Sequence, residues 1–227
     1  FDSFNEFDNE FKQKEKKEIF DPLKGYNESM TQFNDFVFLN VVNPVAKGYD
    51  YVIPNPIQIG VSNFFNHIAF PIRFVNNILQ LKFEEASMEL ASFTVNTIWG
   101  LGGILNPAKD ELNWQRYDED FGQTLGHYGV GSGFHIVLPL LGPSNLRDMF
   151  SIIPDSYLSA TSTVGESDIS YKIPNDSTQS FTISSYNRVN GVSLKLGQYE
   201  SIKKDAIELY PFLRDAYEQK RNQEIKD

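Results

Sequence analysis

The stretch DEDFGQTLGHYGVGSGFHIVLPLLGPSNLRD, from Asp118 to Asp148, decides how this chain is read. Between Asp120 and Arg147 it carries no formal charge, although 22% of the chain's residues are charged. It holds Gly122, Gly126, Gly129, Gly131, Gly133 and Gly142, together with Pro139 and Pro143. A membrane-spanning helix needs about 20 mainly apolar residues without repeated breakers, and this stretch fails that requirement. A loop facing water would not gather Phe134, Ile136, Val137, Leu138, Leu140 and Leu141. Closely spaced glycines permit positive φ and close backbone approach, which implies an irregular or kinked segment packed against apolar material. At membrane depth such backbone is tolerated only when buried in protein or lining a cavity. Two readings stand: an ordinary buried loop, or the wall of a passage for an amphipathic molecule.

The 227 residues suffice for one domain with a sizeable core. A net charge of −10 argues against nucleic acid and against electrostatic attachment to anionic lipid, since both demand clustered Lys and Arg. Nineteen Phe and eleven Tyr are a heavy aromatic load for a chain of mean hydropathy −0.36. That mixture suits an aromatic core, or helices half-inserted in a membrane interface. Without cysteine the chain has no disulfide, thiolate metal site or cysteine nucleophile.

Phe1 to Glu18 is a charged, irregular run with scattered Phe4, Phe7 and Phe11, read as a flexible tether ahead of a helical domain over 19–227. Asp21-Pro22 predicts a helix start, with Asp21 as cap. Leu23, Tyr26, Met30, Phe33 and Val37 follow at helical spacing, while Phe36, Phe38, Leu39, Val41 and Val42 sit off that stripe. The end of this helix is therefore apolar nearly all round, hence deeply buried or facing lipid. Prolines and glycines then delimit predicted helices over 44–52, 57–68, 70–81 and 83–100. Ser144 is the expected cap of a helix reaching about Leu158, with Leu146, Met149, Phe150 and Ile153 inward. The Ser/Thr-rich residues 159–185 predict a loop or small hairpin. Two helices, over 186–197 and 199–222, close the chain before a frayed tail at 222–227.

Catalytic patterns are missing from the sequence. His67, His127 and His135 have no partner at metal-ligand spacing. Gly131-Ser132-Gly133 lacks the spacing of a hydrolase nucleophile elbow. The glycine run is followed by no Gly-Lys-Ser/Thr, so a phosphate loop fails. Asp118, Glu119 and Asp120 read better as a helix-capping cluster than as paired acids.

The motifs do resemble a known family. Asp21-Pro22-Leu23, Gly25, Asn27 and Phe33-Asn34 open the series. Pro44-Val45-Ala46-Lys47-Gly48-Tyr49, Tyr51-Val52 with Pro54 and Pro56, and Gly60-Val61-Ser62-Asn63-Phe64-Phe65 follow. Next come Val75-Asn76, Leu79-Gln80, Lys82-Phe83, and Asn96-Thr97 with Gly100, Gly102 and Gly103. The strongest block is Asp120-Phe121-Gly122-Gln123-Thr124-Leu125-Gly126, Gly129-Val130-Gly131, Leu138-Pro139, Gly142-Pro143-Ser144 and Arg147-Asp148. Tyr210-Pro211, Arg214, Tyr217 and Gln219 match the closing helix. In this order the chain resembles the MlaA/VacJ family of outer-membrane lipoproteins. It departs from the family at Gly133-Phe134-His135, where Gly-Pro-Tyr is usual, and residues 159–185 have no recognised counterpart.

The resemblance implies a mainly α fold: a single-domain ring of amphipathic helices in the periplasmic leaflet of the outer membrane, around a central channel. It implies a lipid-anchored, non-enzymatic protein, its anchoring Cys expected ahead of Phe1. Such a protein takes phospholipids that have strayed into the outer leaflet and passes them to a periplasmic lipid-carrier protein, in some members beside a trimeric porin. No cofactor, metal or nucleic acid is implied. Phe33, Asn34, Gly126, Tyr128, Gly129, Gly131 and Gly133 become the expected channel residues. Phe36, Phe38, Leu39, Ile136, Leu138 and Leu140 become the expected membrane-facing ones. Two other readings remain: a structural protein bracing porins, and a lipid hydrolase using Ser132 or Ser144 with His127 or His135.

Overall fold

The computed structural model describes residues 20–163 and 171–226. The tether expected over 1–18 lies outside them. The chain opens with α1 (Lys24–Val37), a π-helical turn (Phe38–Val42) and α2 (Asn43–Val52), joined without a break. Pro44 has no N–H to give the helix ladder. The turn ahead of it widens, and Asn43 N–H reaches back to the Phe38 carbonyl. Asp21 does not cap α1. Its carboxylate instead accepts from Asn27 Nδ2 at 3.1 Å and from the Tyr210 hydroxyl, tying the first turn to the last helix.

The proline-punctuated series follows as α3 (Asn55–Ile68), α4 (Phe70–Leu79), α5 (Phe83–Ile98) and the single turn α6 (Pro107–Asp110). Three of these begin with proline in the first turn, where the missing N–H costs nothing. Next come α7 (Phe121–His127), β1 (His135–Leu138), β2 (Gly142–Asn145) and α8 (Leu146–Leu158). The chain closes with α9 (Ser177–Ser193), α10 (Gln198–Asp205) and α11 (Leu209–Glu224).

Among the described residues the hairpin is at 135–145; of the 159–185 segment, residues 164–170 lie outside the described ones. His135 pairs with Asn145 and Leu138 with Gly142, antiparallel, and Leu140 turns the loop at φ 62°. Residues 177–185 are helical instead, because Asp176 accepts from Gln179 N–H at 2.8 Å and starts α9 well before the expected 186. The expected fraying from 222 also moves outward, since α11 runs to Glu224.

The most consequential difference is which faces turn inward. Among the described residues the largest fully buried side chains are Gln58, Glu89, Asn27, Asn76, Asn77, Asn145 and Asn190, with Val137 the apolar member. Many large apolar side chains lie outside: Phe36 is 63% exposed and Trp99 68%. On α8, Arg147, Asp148 and Ser151 are buried; of the four residues expected inward, Leu146 and Met149 are half-buried while Phe150 and Ile153 are exposed. Buried amides cost free energy unless hydrogen-bonded, and each of these makes hydrogen bonds, although the Asn77 Oδ1 has no partner among the described residues. Asn27 on α1 donates to the His135 carbonyl (3.0 Å) and accepts from Val137 N–H (2.8 Å). Two turns on, Asn34 donates to the Leu138 carbonyl (2.9 Å) and accepts from Leu140 N–H (2.7 Å). A column of amides on one helix thus completes the edge of β1 that β2 leaves open.

Candidate functional site

α4 places Arg73, Asn76, Asn77 and Gln80 on one buried face, packed against α5, α7 and α8. Arg73 Nε donates to Glu89 Oε2 of α5 at 2.7 Å, and Nη1 donates to the Asn66 carbonyl at 2.8 Å. Glu89 also accepts from Tyr117 N–H at 2.8 Å. A buried ion pair persists only with such extra hydrogen bonds to satisfy it. Among the described residues Arg73 Nη2 donates to nothing.

A second polar cluster joins α7, α8 and α11. Asp120 caps α7 in a capping box with Gln123, as the acidic run before it led us to expect. Asp120 also receives both terminal nitrogens of Arg221, each at 2.8 Å. Asp148 accepts from Arg147 Nε (2.9 Å), Arg221 Nε (2.9 Å) and the Tyr217 hydroxyl (2.7 Å). Burial pushes the Asp148 carboxyl up, but those three donors hold it below the usual carboxylate range. Arg221 is desolvated too, and its bonds to Asp120 and Asp148 keep it firmly charged. Gly122 is required here: a Cβ would stand 2.4 Å from Asp148 Oδ1 and 2.7 Å from Arg221 Nη2.

Asp155, one turn beyond Ser151, is different. It accepts from Phe121 N–H (3.1 Å) and Asn76 Nδ2 (3.2 Å), with no cation within ion-pair distance among the described residues. Burial raises its pKa to about 6; the two hydrogen bonds oppose the rise and the neighbouring Asp120 charge adds to it.

Two cavities flank α4. One, of about 660 Å³, is walled by α8, α11, the hairpin and the Asp118–Asp120 run, and includes Asp155, Ser151 and Leu138. The other, of about 910 Å³, lies among α3, α5 and residues 103–118 and includes Asn63, Asn96 and Arg116. Asn66, Arg73 and Asp118 belong to the walls of both. The second cavity is the more polar, the first mixes charged groups with Ile72, Leu138, Leu141 and Ile152, and many large apolar side chains stand on the outside.

The residues expected at a channel have the following places in the fold. Phe33 is exposed and Asn34 clips the hairpin. Gly126 is covered by Ile225 and Arg147, and Gly133 by Leu146. Gly129 and Gly131 are open, and the exposed Tyr128 bonds the Leu79 carbonyl at 2.5 Å. None of the seven belongs to either cavity wall. Of the expected membrane-facing set, Phe36 and Leu140 are exposed, and Leu39, Ile136 and Leu138 half-buried. Phe38 packs on Tyr199 at 4.3 Å between ring centroids. Sequence reasoning missed Arg73, Glu89 and Asp155. The available signal was a charge and two amides spaced three and four apart inside apolar FPIRFVNNIL. Among the described residues neither Ser132 nor Ser144 hydrogen-bonds a histidine, and both His135 ring nitrogens are buried without a hydrogen bond, so these serines and histidines do not pair as nucleophile and base.

A family model described as MlaA lipoprotein matches residues 19–224. An Intermembrane phospholipid transport system lipoprotein MlaA from Escherichia coli K12 is 39% identical over 132 residues, 56% of this chain and 52% of that protein. Its Haemophilus influenzae namesake is 32% identical over 139 residues, 60% of this chain and 55% of that protein. An uncharacterized Rickettsia prowazekii protein is 32% identical over 140 residues, 62% of this chain and 55% of that protein. The chain thus spans about half the length of these curated relatives. A solved structure described as "Structural basis for maintenance of bacterial outer membrane lipid asymmetry" superposes with a TM-score of 0.72 at 26% identity, covering 91% of this chain and all of that one. With nearly the whole described fold inside the matched range, the chain belongs to the MlaA lipoprotein family.

Proposed function

We propose that this protein moves phospholipids out of the outer leaflet of a bacterial outer membrane, without covalent chemistry, and hands them to a periplasmic lipid carrier. The observation that carries this reading is the inverted interior: buried amides and ion pairs beside two cavities that mix charged and apolar walls, in a body with many aromatic and aliphatic side chains facing outward. A lipid headgroup crossing hydrocarbon needs a polar path, because a charge without one costs several kcal/mol or more. Exposed apolar surface on this scale marks contact with a membrane or partner. No described helix is long and apolar enough to cross a membrane, which fits a body lying in one leaflet. Phe36, Leu39 and Leu140 would then meet acyl chains, and the two cavities would take the headgroup. The printed names of the relatives, phospholipid transport and lipid asymmetry, support the same substrate. A trimeric porin is a further partner in this proposal.

The test is outer-leaflet phospholipid measured in a strain lacking the gene, with mass spectrometry of lipid extracted from the purified protein. Outer-leaflet phospholipid should rise in the deletion and return on complementation. An unchanged leaflet would sink the proposal.

A further inference from the structure

We propose that the passage selects phospholipids with a zwitterionic, amine-bearing headgroup, the phosphate meeting Arg73 and the ammonium meeting Asp155. This deepens the transport reading and rests on it. The inference comes from pairing off the charges around the 660 Å³ cavity. Asp118 is held by Arg116 (2.6 Å) and lies 3.8 Å from Arg73 Nε, Glu119 is held by Lys82 (2.7 Å), and Glu224 by Lys220 (3.2 Å). Asp120 is held by Arg221, and Asp148 by Arg147 and Arg221. Asp155 is the wall carboxylate left without a cation among the described residues. Of the wall cations, Lys220 is exposed and paired with Glu224, whereas the buried Arg73, paired through Nε with Glu89, keeps one terminal nitrogen, Nη2, with no hydrogen bond among the described residues.

These two groups lie close together. Arg73 and Asn76 are three residues apart on α4, which places their Cβ atoms about 5–6 Å apart on one face. Asn76 in turn bonds Asp155 at 3.2 Å. A guanidinium edge and an uncompensated carboxylate are thus offset by about one amide side chain across a single wall. A phosphodiester and an ammonium joined by a two-carbon link present the complementary pair. An anionic headgroup would satisfy Arg73 but leave Asp155 repelling it in a partly dry site. Arg73 also borders the second cavity, so a phosphate held there is reachable from both sides.

The full chain, purified in detergent, would be incubated separately with vesicles carrying phosphatidylethanolamine, phosphatidylglycerol or diacylglycerol of identical acyl chains, and retained lipid quantified. Phosphatidylethanolamine should exceed phosphatidylglycerol at least about fivefold, the scale of one partly desolvated charge contact. Asp155→Asn keeps an acceptor for Phe121 N–H and should bring the two phospholipids level. Replacing Arg73→Gln together with Glu89→Gln, so that no lone carboxylate is left buried, should lower both phospholipids to the diacylglycerol value. Should that double variant not fold, Asp155→Asn decides alone. Equal retention of the phospholipids by the unmodified chain, or an unchanged preference in Asp155→Asn, overturns the headgroup assignment while transport stands. Binding of soluble phosphoethanolamine as tight as that of the whole lipid makes the site one for the free headgroup and also overturns it. Retention of none of the three lipids overturns the transport reading itself.

Discussion

Gly122 and Gly131 belong to the same glycine-rich stretch, yet one is hemmed in by charge and the other stands in open space. A methyl at Gly122 would intrude between Asp148 and Arg221 and part a buried, hydrogen-bonded ion cluster. Breaking such a cluster costs about 3–5 kcal/mol. Gly122→Ala should therefore lower stability by about that amount in denaturant unfolding. Gly131→Ala, with nothing within 4 Å of the added carbon, should stay within about 1 kcal/mol of the parent. Equal effects at the two sites would contradict the cluster's role. Sequence alone could not separate these glycines, since the neighbours that crowd Gly122 come from α8 and α11. The Asp120 cap was legible, because a capping box is local. Arg73 and Asp155 were not, because their meaning depends on which other charges have been neutralised.

At the scale of elements, the hairpin is held by α1 as firmly as by its own turn. Asn27→Ala would strip a buried acceptor from Val137 N–H and a donor from the His135 carbonyl. Leaving such groups unpaired costs about 1–3 kcal/mol each. The expected result is a loss of about 2–4 kcal/mol, with amide exchange at Val137 accelerated ahead of global unfolding; unchanged exchange there would show that the clip does not hold the strand. The helices between prolines were readable, since Pro and Gly mark ends through local geometry. The hairpin was not. Its second strand is Gly142-Pro143-Ser144-Asn145, poor in β-formers, and its stability comes from amides more than a hundred residues upstream. Facing was misread on α8 for one reason: periodicity locates a stripe but does not say whether water, lipid or protein lies beyond it.

Over the whole molecule, a net charge of −10 and many exposed apolar side chains specify attachment by burial instead of by charge. The full chain should bind phosphatidylcholine vesicles equally well at about 50 mM and about 500 mM salt, where screening differs severalfold. Trp99→Ser with Leu101→Ser, both exposed apolar residues at the end of α5, should weaken that binding at least about tenfold. Sedimentation with vesicles checks both, and release at high salt would refute the apolar mode. The amide interior has a thermal consequence as well. Stability drawn from buried apolar surface fades on cooling and bends the stability curve, through the heat capacity of hydrated hydrocarbon. An interior knit by Asn27, Gln58, Asn76, Asn77 and Asn190 leans less on that source. The fold's strength should vary gently with temperature, keeping the same grip in a cold membrane as in a warm one.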